Sequence, residues 1–191
     1  MIIKPHNIIF IHISKTGGSS IRELIVEHFK HNYSDIMGMH YSLANVQDKL
    51  PSLDLNSFKV LAVKRNTWEK WASWYVQACV KHGWEHPYTK DGYNKYFNRR
   101  VLGGYLDYFR LKDGTLFNNV HTLDFDNLDA GVIEFFQSEF NITVPRVPRV
   151  RVKNAPAYGY QQEIINDPVF QDIIANKFSE EIEHFGYTIP K

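Results

Sequence analysis

Residues 15–20 of the chain, Lys-Thr-Gly-Gly-Ser-Ser, combine a cation, hydroxyl groups and two adjacent glycines. Glycines let a backbone approach a ligand closely. The N–H groups that are free at the start of a helix favour an anion. The segment therefore predicts a cradle for a phosphate or sulfate group, with a capped turn and a solvated lysine as the alternative. The predicted cradle consists of Lys15, Thr16, Gly17, Gly18, Ser19 and Ser20.

A second pairing of a cation with a hydroxyl group occurs at Arg65 and Ser73. Arg65 follows a buried apolar run, and ligands of parallel α/β sheets bind at the ends of such strands. Ser73 comes eight residues later, about two turns into a predicted helix. A guanidinium can fork onto a phosphate while a hydroxyl donates to it. We therefore expect a second phosphate contact here; the alternative is a surface arginine and a mid-helix serine.

Both segments stand between an apolar run and a helical pattern. Residues 7–13 and 58–63 are almost continuously apolar, which is typical of strands buried on both faces of a parallel sheet. A helix is predicted over 67–82, with Asn66 as its N-cap and Glu69 completing a capping box. Strands that alternate with helices predict an α/β fold with a central parallel sheet flanked by helices.

The rest of the chain supplies further predicted elements, with no repeat and no low-complexity segment. The prolines of 144–153 exclude a regular helix there, so this basic segment is expected to be extended. It forms either a solvated edge or a seat for an anionic group. The other predictions are an aromatic, mainly helical stretch at 93–111, a strand at 121–125, a helix at 130–140 and a terminal helix at 169–185 that stops at Gly186.

Length and composition limit the classes of function. A chain of 191 residues suits a single domain, 1–191. The net charge of +1 disfavours a general nucleic-acid coat. No apolar run is long enough to cross a bilayer, and no secretory leader is recognisable. We therefore expect no nucleic-acid or membrane partner and a cytoplasmic location.

The order of residues in the cradle differs from that of nucleotide triphosphatases. Their loop places a lysine after the last glycine, whereas Lys15 precedes both glycines here. Asp124 and Asp126 are the candidates for holding magnesium in such an enzyme. A P-loop-type nucleotide kinase or hydrolase is therefore kept as an alternative.

The two segments together resemble the sulfotransferases that use 3′-phosphoadenosine 5′-phosphosulfate (PAPS), above all the branch of bacterial and Golgi carbohydrate sulfotransferases. In that family a strand ends in Pro-Lys-Thr-Gly-Gly-Thr-Ser, which holds the 5′-phosphosulfate. Residues 14–20 match this motif, with Ser14 in place of Pro and Ser19 in place of Thr.

The second motif of the family is Val-Arg-Asn-Pro-Trp-x-Arg-x-x-Ser, whose Arg and Ser hold the 3′-phosphate. Lys64 to Ser73 lie in register with it, with Thr67 for Pro and Lys70 for the second Arg. Weaker similarities are His40-Tyr-Ser-Leu, where related enzymes have a catalytic histidine, and Phe125-Asp-Asn-Leu128.

The resemblance implies a P-loop-like sulfotransferase fold and transfer of a sulfuryl group from PAPS to an acceptor hydroxyl. The product would be 3′-phosphoadenosine 5′-phosphate (PAP), the acceptor a carbohydrate or small molecule, and no metal would be required. Lys15 would stabilise the leaving phosphate, and Arg65 and Ser73 would hold the 3′-phosphate. His40 is the expected general base, because an imidazole exchanges its proton near neutral pH, and Glu23 is the reserve. A non-catalytic module that binds PAP or another nucleotide is the remaining alternative.

Overall fold

A computed structural model describes residues 1–30, 33–34, 40–82, 90–98, 103–149 and 159–190. The chain forms two compact units, each made of two stretches. The first unit comprises Met1–Lys64 and Tyr105–Val152, and the second comprises Arg65–Gly104 and Lys153–Lys191. That residues 1–191 act as a single domain stays a prediction.

The first unit contains a mixed β-sheet. Its strands are β1 (Ile2–Ile3), β2 (Ile8–Ile11), β3 (Tyr33–Ser34), β4 (Lys59–Lys64) and β5 (Val120–Asp124). They lie in the order β3-β1-β2-β4-β5. Strands β2, β4 and β5 are parallel to one another, whereas β1 runs antiparallel to both β2 and β3. The predicted parallel sheet is thus confirmed for the three strands expected from the sequence, whereas the two antiparallel strands β1 and β3 were not predicted.

The helices divide between the two units. In chain order they are α1 (Gly18–Phe29), α2 (Leu43–Lys49), α3 (Thr67–His82), α4 (Lys90–Asn98), α5 (Tyr105–Phe109), α6 (Leu128–Phe140), α7 (Gln161–Asn166), α8 (Pro168–Lys177) and α9 (Ser179–Phe185). Helices α1, α2, α5 and α6 belong to the first unit, and the other five belong to the second. No helix in these described ranges is both long and apolar enough to cross a membrane.

Helices α1 and α6 pack against the sheet in the core of the first unit. Leu24 of α1 and Phe136 of α6 are fully buried in one cluster with Phe10 of β2 and Leu61 of β4. The alternate strand residue Ala62 is equally buried, so both faces of β4 are covered. Burial of this kind explains why the strand sequences are continuously apolar.

The second unit is an aromatic helical cluster. Helix α3 spans the predicted residues, and its Tyr75 and Cys79 are buried as their spacing indicates. Trp71 stacks on Phe178 with ring centroids 4.4 Å apart. The predicted terminal helix is two helices, because the backbone leaves helical geometry at Phe178, and Gly186 ends the second helix in the left-handed conformation expected of it.

Candidate functional site

The predicted anion cradle is the connection between β2 and α1. Strand β2 ends at Ile11 and α1 begins at Gly18, so the loop and the first helical turn follow the carboxyl end of a parallel strand. Lys15 and Gly17 adopt positive φ angles of 69° and 79°. A positive φ is uncommon for lysine and points to a backbone that the surroundings hold in place.

Neighbouring side chains pack tightly against Gly17 and Gly18. A Cβ atom on Gly17 would lie 3.1 Å from Phe125 and 3.2 Å from Leu128. Phe125 and Leu128 are the ends of the Phe-Asp-Asn-Leu segment that follows β5. A Cβ atom on Gly18 would lie 2.2 Å from the ring of His12. Gly18 therefore requires glycine on steric grounds, whereas Gly17 is favoured by its positive φ and its close neighbours.

The polar groups of the cradle differ in what they present. The Thr16 side chain is fully buried, and its hydroxyl donates to the carbonyl oxygen of Ile13 at 2.9 Å. Lys15, Ser19 and Ser20 are half-buried. The first N–H groups of any helix have no partner within it, so α1 adds backbone donors beside Lys15. The segment can bind an anion with these groups, while the Thr16 hydroxyl proton stabilises the loop.

His40 lies against this loop, although 26 residues separate it from Ser14. Its Nδ1 atom is 2.8 Å from Ser14 Oγ and 3.1 Å from the carbonyl oxygen of His12. The imidazole is exposed, and its centroid lies 4.7 Å from that of the buried His12 ring. His40 itself has a φ of 68°. The structure thus brings the histidine that the resemblance singled out to the strand end that carries the cradle.

Tyr108 is a site residue that sequence reasoning missed. It is half-buried on α5, and its phenol shares a hydrogen bond with the Ser14 side chain. Burial raises the pKa of Tyr108, and the bond with Ser14 partly opposes that rise.

Tyr108 is one of eight aromatic residues between 84 and 109 in the sequence. Of these, Trp84 and Tyr88 lie outside the described residues. Tyr93, Tyr96, Phe97, Tyr105 and Phe109 are buried in the core.

The ends of β4 and β5 carry an ion pair. Lys64 Nζ lies 3.2 Å from Asp124 Oδ1, so a lysine ammonium accompanies the carboxylate that the kinase alternative would use for magnesium. Within the residues placed by the structure, no cluster of three or more His, Cys, Asp or Glu side chains could hold a metal. That the reaction requires no metal stays a prediction.

Arg65 and Ser73 belong to the second unit. Asn66 caps α3 as predicted, accepting from the Trp68 N–H at 3.1 Å. The predicted capping box is wrong, because Glu69 Oε2 instead accepts from Arg65 Nε at 3.0 Å. Ser73 is buried on α3 with 6% of its surface exposed. The Arg65 guanidinium, just before α3, is therefore held by Glu69 in the first turn of that helix.

The remaining predicted residues are Glu23 and those of the basic segment 144–153. Glu23, the reserve base, is half-buried on α1. The start of the basic segment, 144–149, forms neither helix nor strand, with Val144 and Val147 buried and Arg146 and Arg149 exposed. Its continuation, including the basic residues at 151 and 153, lies outside the described residues.

No protein-family model, curated protein or solved structure matches the chain.

Proposed function

We propose that the chain is a PAPS-dependent sulfotransferase acting on the hydroxyl group of a carbohydrate or small molecule. The observation that carries this proposal is the placement of His40 on Ser14, at the start of the Lys-Thr-Gly-Gly-Ser-Ser loop. A general base and an anion cradle are the two parts that sulfuryl transfer needs within reach of each other. The motif resemblance supplies the identity of the donor.

The fit to a phosphosulfate rests on the loop itself. Positive φ angles at Lys15 and Gly17 turn the backbone between β2 and α1, and the following helix start favours a doubly anionic group. Glycines at 17 and 18 let the loop pack closely against Phe125, Leu128 and His12, which holds the backbone N–H groups of the loop in place. Lys15 adds the single full charge of the loop.

In the proposed reaction His40 accepts the proton of the acceptor hydroxyl. As that O–H bond breaks, the acceptor oxygen forms a bond to sulfur, and the bond from sulfur to the 5′-phosphate oxygen breaks. Lys15 compensates the negative charge that develops on this leaving oxygen. The proton remains on the exposed His40 ring, from which water removes it. Positioning and electrostatics thus account for the rate, as in phosphoryl transfer.

The 3′-phosphate would be recognised by Arg65 and Ser73 of the second unit. Arg65 Nε is already oriented by Glu69, and a guanidinium has further donors in a fixed fork that suits a phosphate. Such contacts would distinguish PAPS from adenine nucleotides that lack a 3′-phosphate.

Transfer from radiolabelled PAPS to a panel of acceptors tests the proposal. The panel covers monosaccharides, oligosaccharides, aliphatic alcohols, phenols and a tyrosine peptide, in buffer containing EDTA. We expect label to enter one class, and to be lost with Lys15→Ala but retained with the matched control Lys49→Ala on α2, which is exposed. PAP binding without transfer to any acceptor would favour the non-catalytic alternative. ATP turnover that depends on magnesium would favour the kinase alternative.

A further inference from the structure

Ser14 connects His40 to Tyr108. The Ser14 side chain is buried, with its Oγ atom 2.8 Å from His40 Nδ1 and hydrogen-bonded to the phenol of Tyr108. The family motif has Pro at this position, and proline has no hydroxyl group. This contact is therefore a property of this chain's own residues that the resemblance does not imply.

The carbonyl oxygen of His12 shows which nitrogen of His40 carries the proton. It lies 3.1 Å from His40 Nδ1. A carbonyl oxygen can only accept a hydrogen bond, so Nδ1 must donate and therefore carries the proton. In a neutral imidazole the other nitrogen, Nε2, then has the lone pair. A base that takes a proton from an acceptor hydroxyl needs this lone pair.

The direction of the Ser14 hydroxyl decides whether that lone pair is available. Ser14 Oγ lies 3.3 Å from His40 Nε2 as well as 2.8 Å from Nδ1. A serine hydroxyl has one proton. If Ser14 donated it to Nε2, the lone pair would be occupied. If Ser14 donates it to Tyr108, only oxygen lone pairs face the imidazole, and Ser14 Oγ shares the Nδ1 proton with the His12 carbonyl oxygen in a three-centre hydrogen bond.

Tyr108 favours the second arrangement. Its half-buried phenol oxygen can accept from Ser14. That bond gives the single Ser14 proton an acceptor away from the imidazole. The sequence of donors is then His40 Nδ1 to Ser14, and Ser14 to Tyr108.

We propose that Ser14 and Tyr108 are positioning residues, which hold the His40 imidazole with its proton on Nδ1 and its lone pair on Nε2. The catalytic meaning of this arrangement rests on the proposed function, whereas the arrangement itself does not. Neither residue touches the reacting atoms.

The protonation state of the ring is measured directly by long-range ¹H–¹⁵N correlation on full-length protein labelled with ¹⁵N-histidine. The His40 signals are assigned by their loss in His40→Gln. We expect the neutral wild-type ring in the Nδ1–H form. Ser14→Ala and Tyr108→Phe should both shift the ring towards the Nε2–H form, and Ser14→Thr should restore the wild-type pattern. A wild-type ring in the Nε2–H form, or one that neither Ser14→Ala nor Tyr108→Phe alters, would overturn the proposal.

Ser42→Ala is the matched control. Ser42 lies two residues after His40, and its hydroxyl caps α2 by accepting from the Asn45 N–H at 3.3 Å. This variant should lower the melting temperature through loss of the cap, yet leave the His40 spectrum unchanged. Tyr108→Phe provides the test if Ser14→Ala fails to fold.

Kinetics separate this proposal from the function on which it rests. With the acceptor identified by the transfer panel, Ser14→Ala should lower kcat about 3- to 10-fold, the effect of one neutral hydrogen bond, with little change in KM for PAPS. An unchanged kcat together with a shifted tautomer would overturn the positioning role. Failure of the wild type to bind PAP or transfer sulfuryl would instead overturn the proposed function, and the tautomer measurement would still stand.

Discussion

Gly18→Ala tests how tightly the cradle is packed. The added methyl group would lie 2.2 Å from Cδ2 and 2.7 Å from Nε2 of His12. The backbone of Gly18 is not left-handed, so the cost of alanine is steric. His12 is buried, with its ring 4.7 Å from His40 and 6.1 Å from Phe10. The ring therefore has little room to retreat, and any retreat changes its contact with His40.

The expected cost follows from this overlap. Inserting a methyl group into a packed site typically costs about 1–3 kcal/mol. In a chain of this size each kcal/mol lowers the melting temperature by about 2–4 °C, so Gly18→Ala should melt about 2–12 °C below wild type. Gly131→Ala is the matched control on α6, where the new Cβ would meet Leu123 at an ordinary 3.4 Å. Alanine is also the better helix former by about 1 kcal/mol, so this control should melt at or above wild type.

Differential scanning calorimetry of the three proteins, followed by PAP titration, decides the question. Gly18→Ala should be less stable and should bind PAP more weakly, because the methyl group displaces the loop. A Gly18→Ala protein as stable as wild type, beside a Gly131→Ala control that behaves as expected, would refute the packing of His12 against the helix start.

Three further predictions concern the chemistry. His40→Ala should lower turnover by roughly 10²–10⁴-fold, the range of a general base, and leave PAP affinity almost unchanged. Lys15→Ala should lower both turnover and PAP affinity. Normal turnover in His40→Ala would show that another residue is the base. In calorimetric titration, Arg65→Ala and Ser73→Ala should each weaken PAP binding about 10- to 100-fold, as expected for hydrogen bonds to a charged group. Both variants should bind AMP as the wild type does. An equal loss of affinity for PAP and AMP would contradict a 3′-phosphate contact. Burial raises the pKa of Cys79 to about 11, so at pH 8 about one thiol in a thousand is ionised. Cys79 should therefore react slowly with iodoacetamide in the native protein and quickly in the unfolded protein. Rapid labelling of the native protein would contradict the burial of Cys79.

The sequence predicted those elements whose residues repeat a strong local pattern. The parallel strands were recognisable because burial on both faces makes them continuously apolar. Helix α3 was predicted close to its observed bounds, because Asn66 is an effective N-cap and the apolar positions keep helical spacing. The connection between β2 and α1 was predicted from the adjacent glycines that follow an apolar run, whereas anion binding by that loop stays a prediction.

Other features depend on contacts between distant parts of the chain. Strands β1 and β3 have two residues each, too few to show alternation. The predicted capping box is absent because the Glu69 carboxylate pairs with Arg65 instead of accepting from the backbone. The bond between Ser14 and Tyr108 brings a strand end to a helix much later in the chain, and no local pattern marks such a meeting. In the sequence Ser14 was only a departure from a family motif.

Thermal stabilisation by PAP in EDTA tests whether the chain binds the PAPS nucleotide without a metal. A ligand that binds only the native state stabilises it by about 2.7 kcal/mol at 100 times its dissociation constant. Saturating PAP should therefore raise the melting temperature of the wild type without any divalent cation, and Lys15→Ala should lose most of this shift. ATP with magnesium should stabilise the protein less. Stabilisation by ATP with magnesium and none by PAP would contradict the proposal that this chain is a PAPS-dependent sulfotransferase.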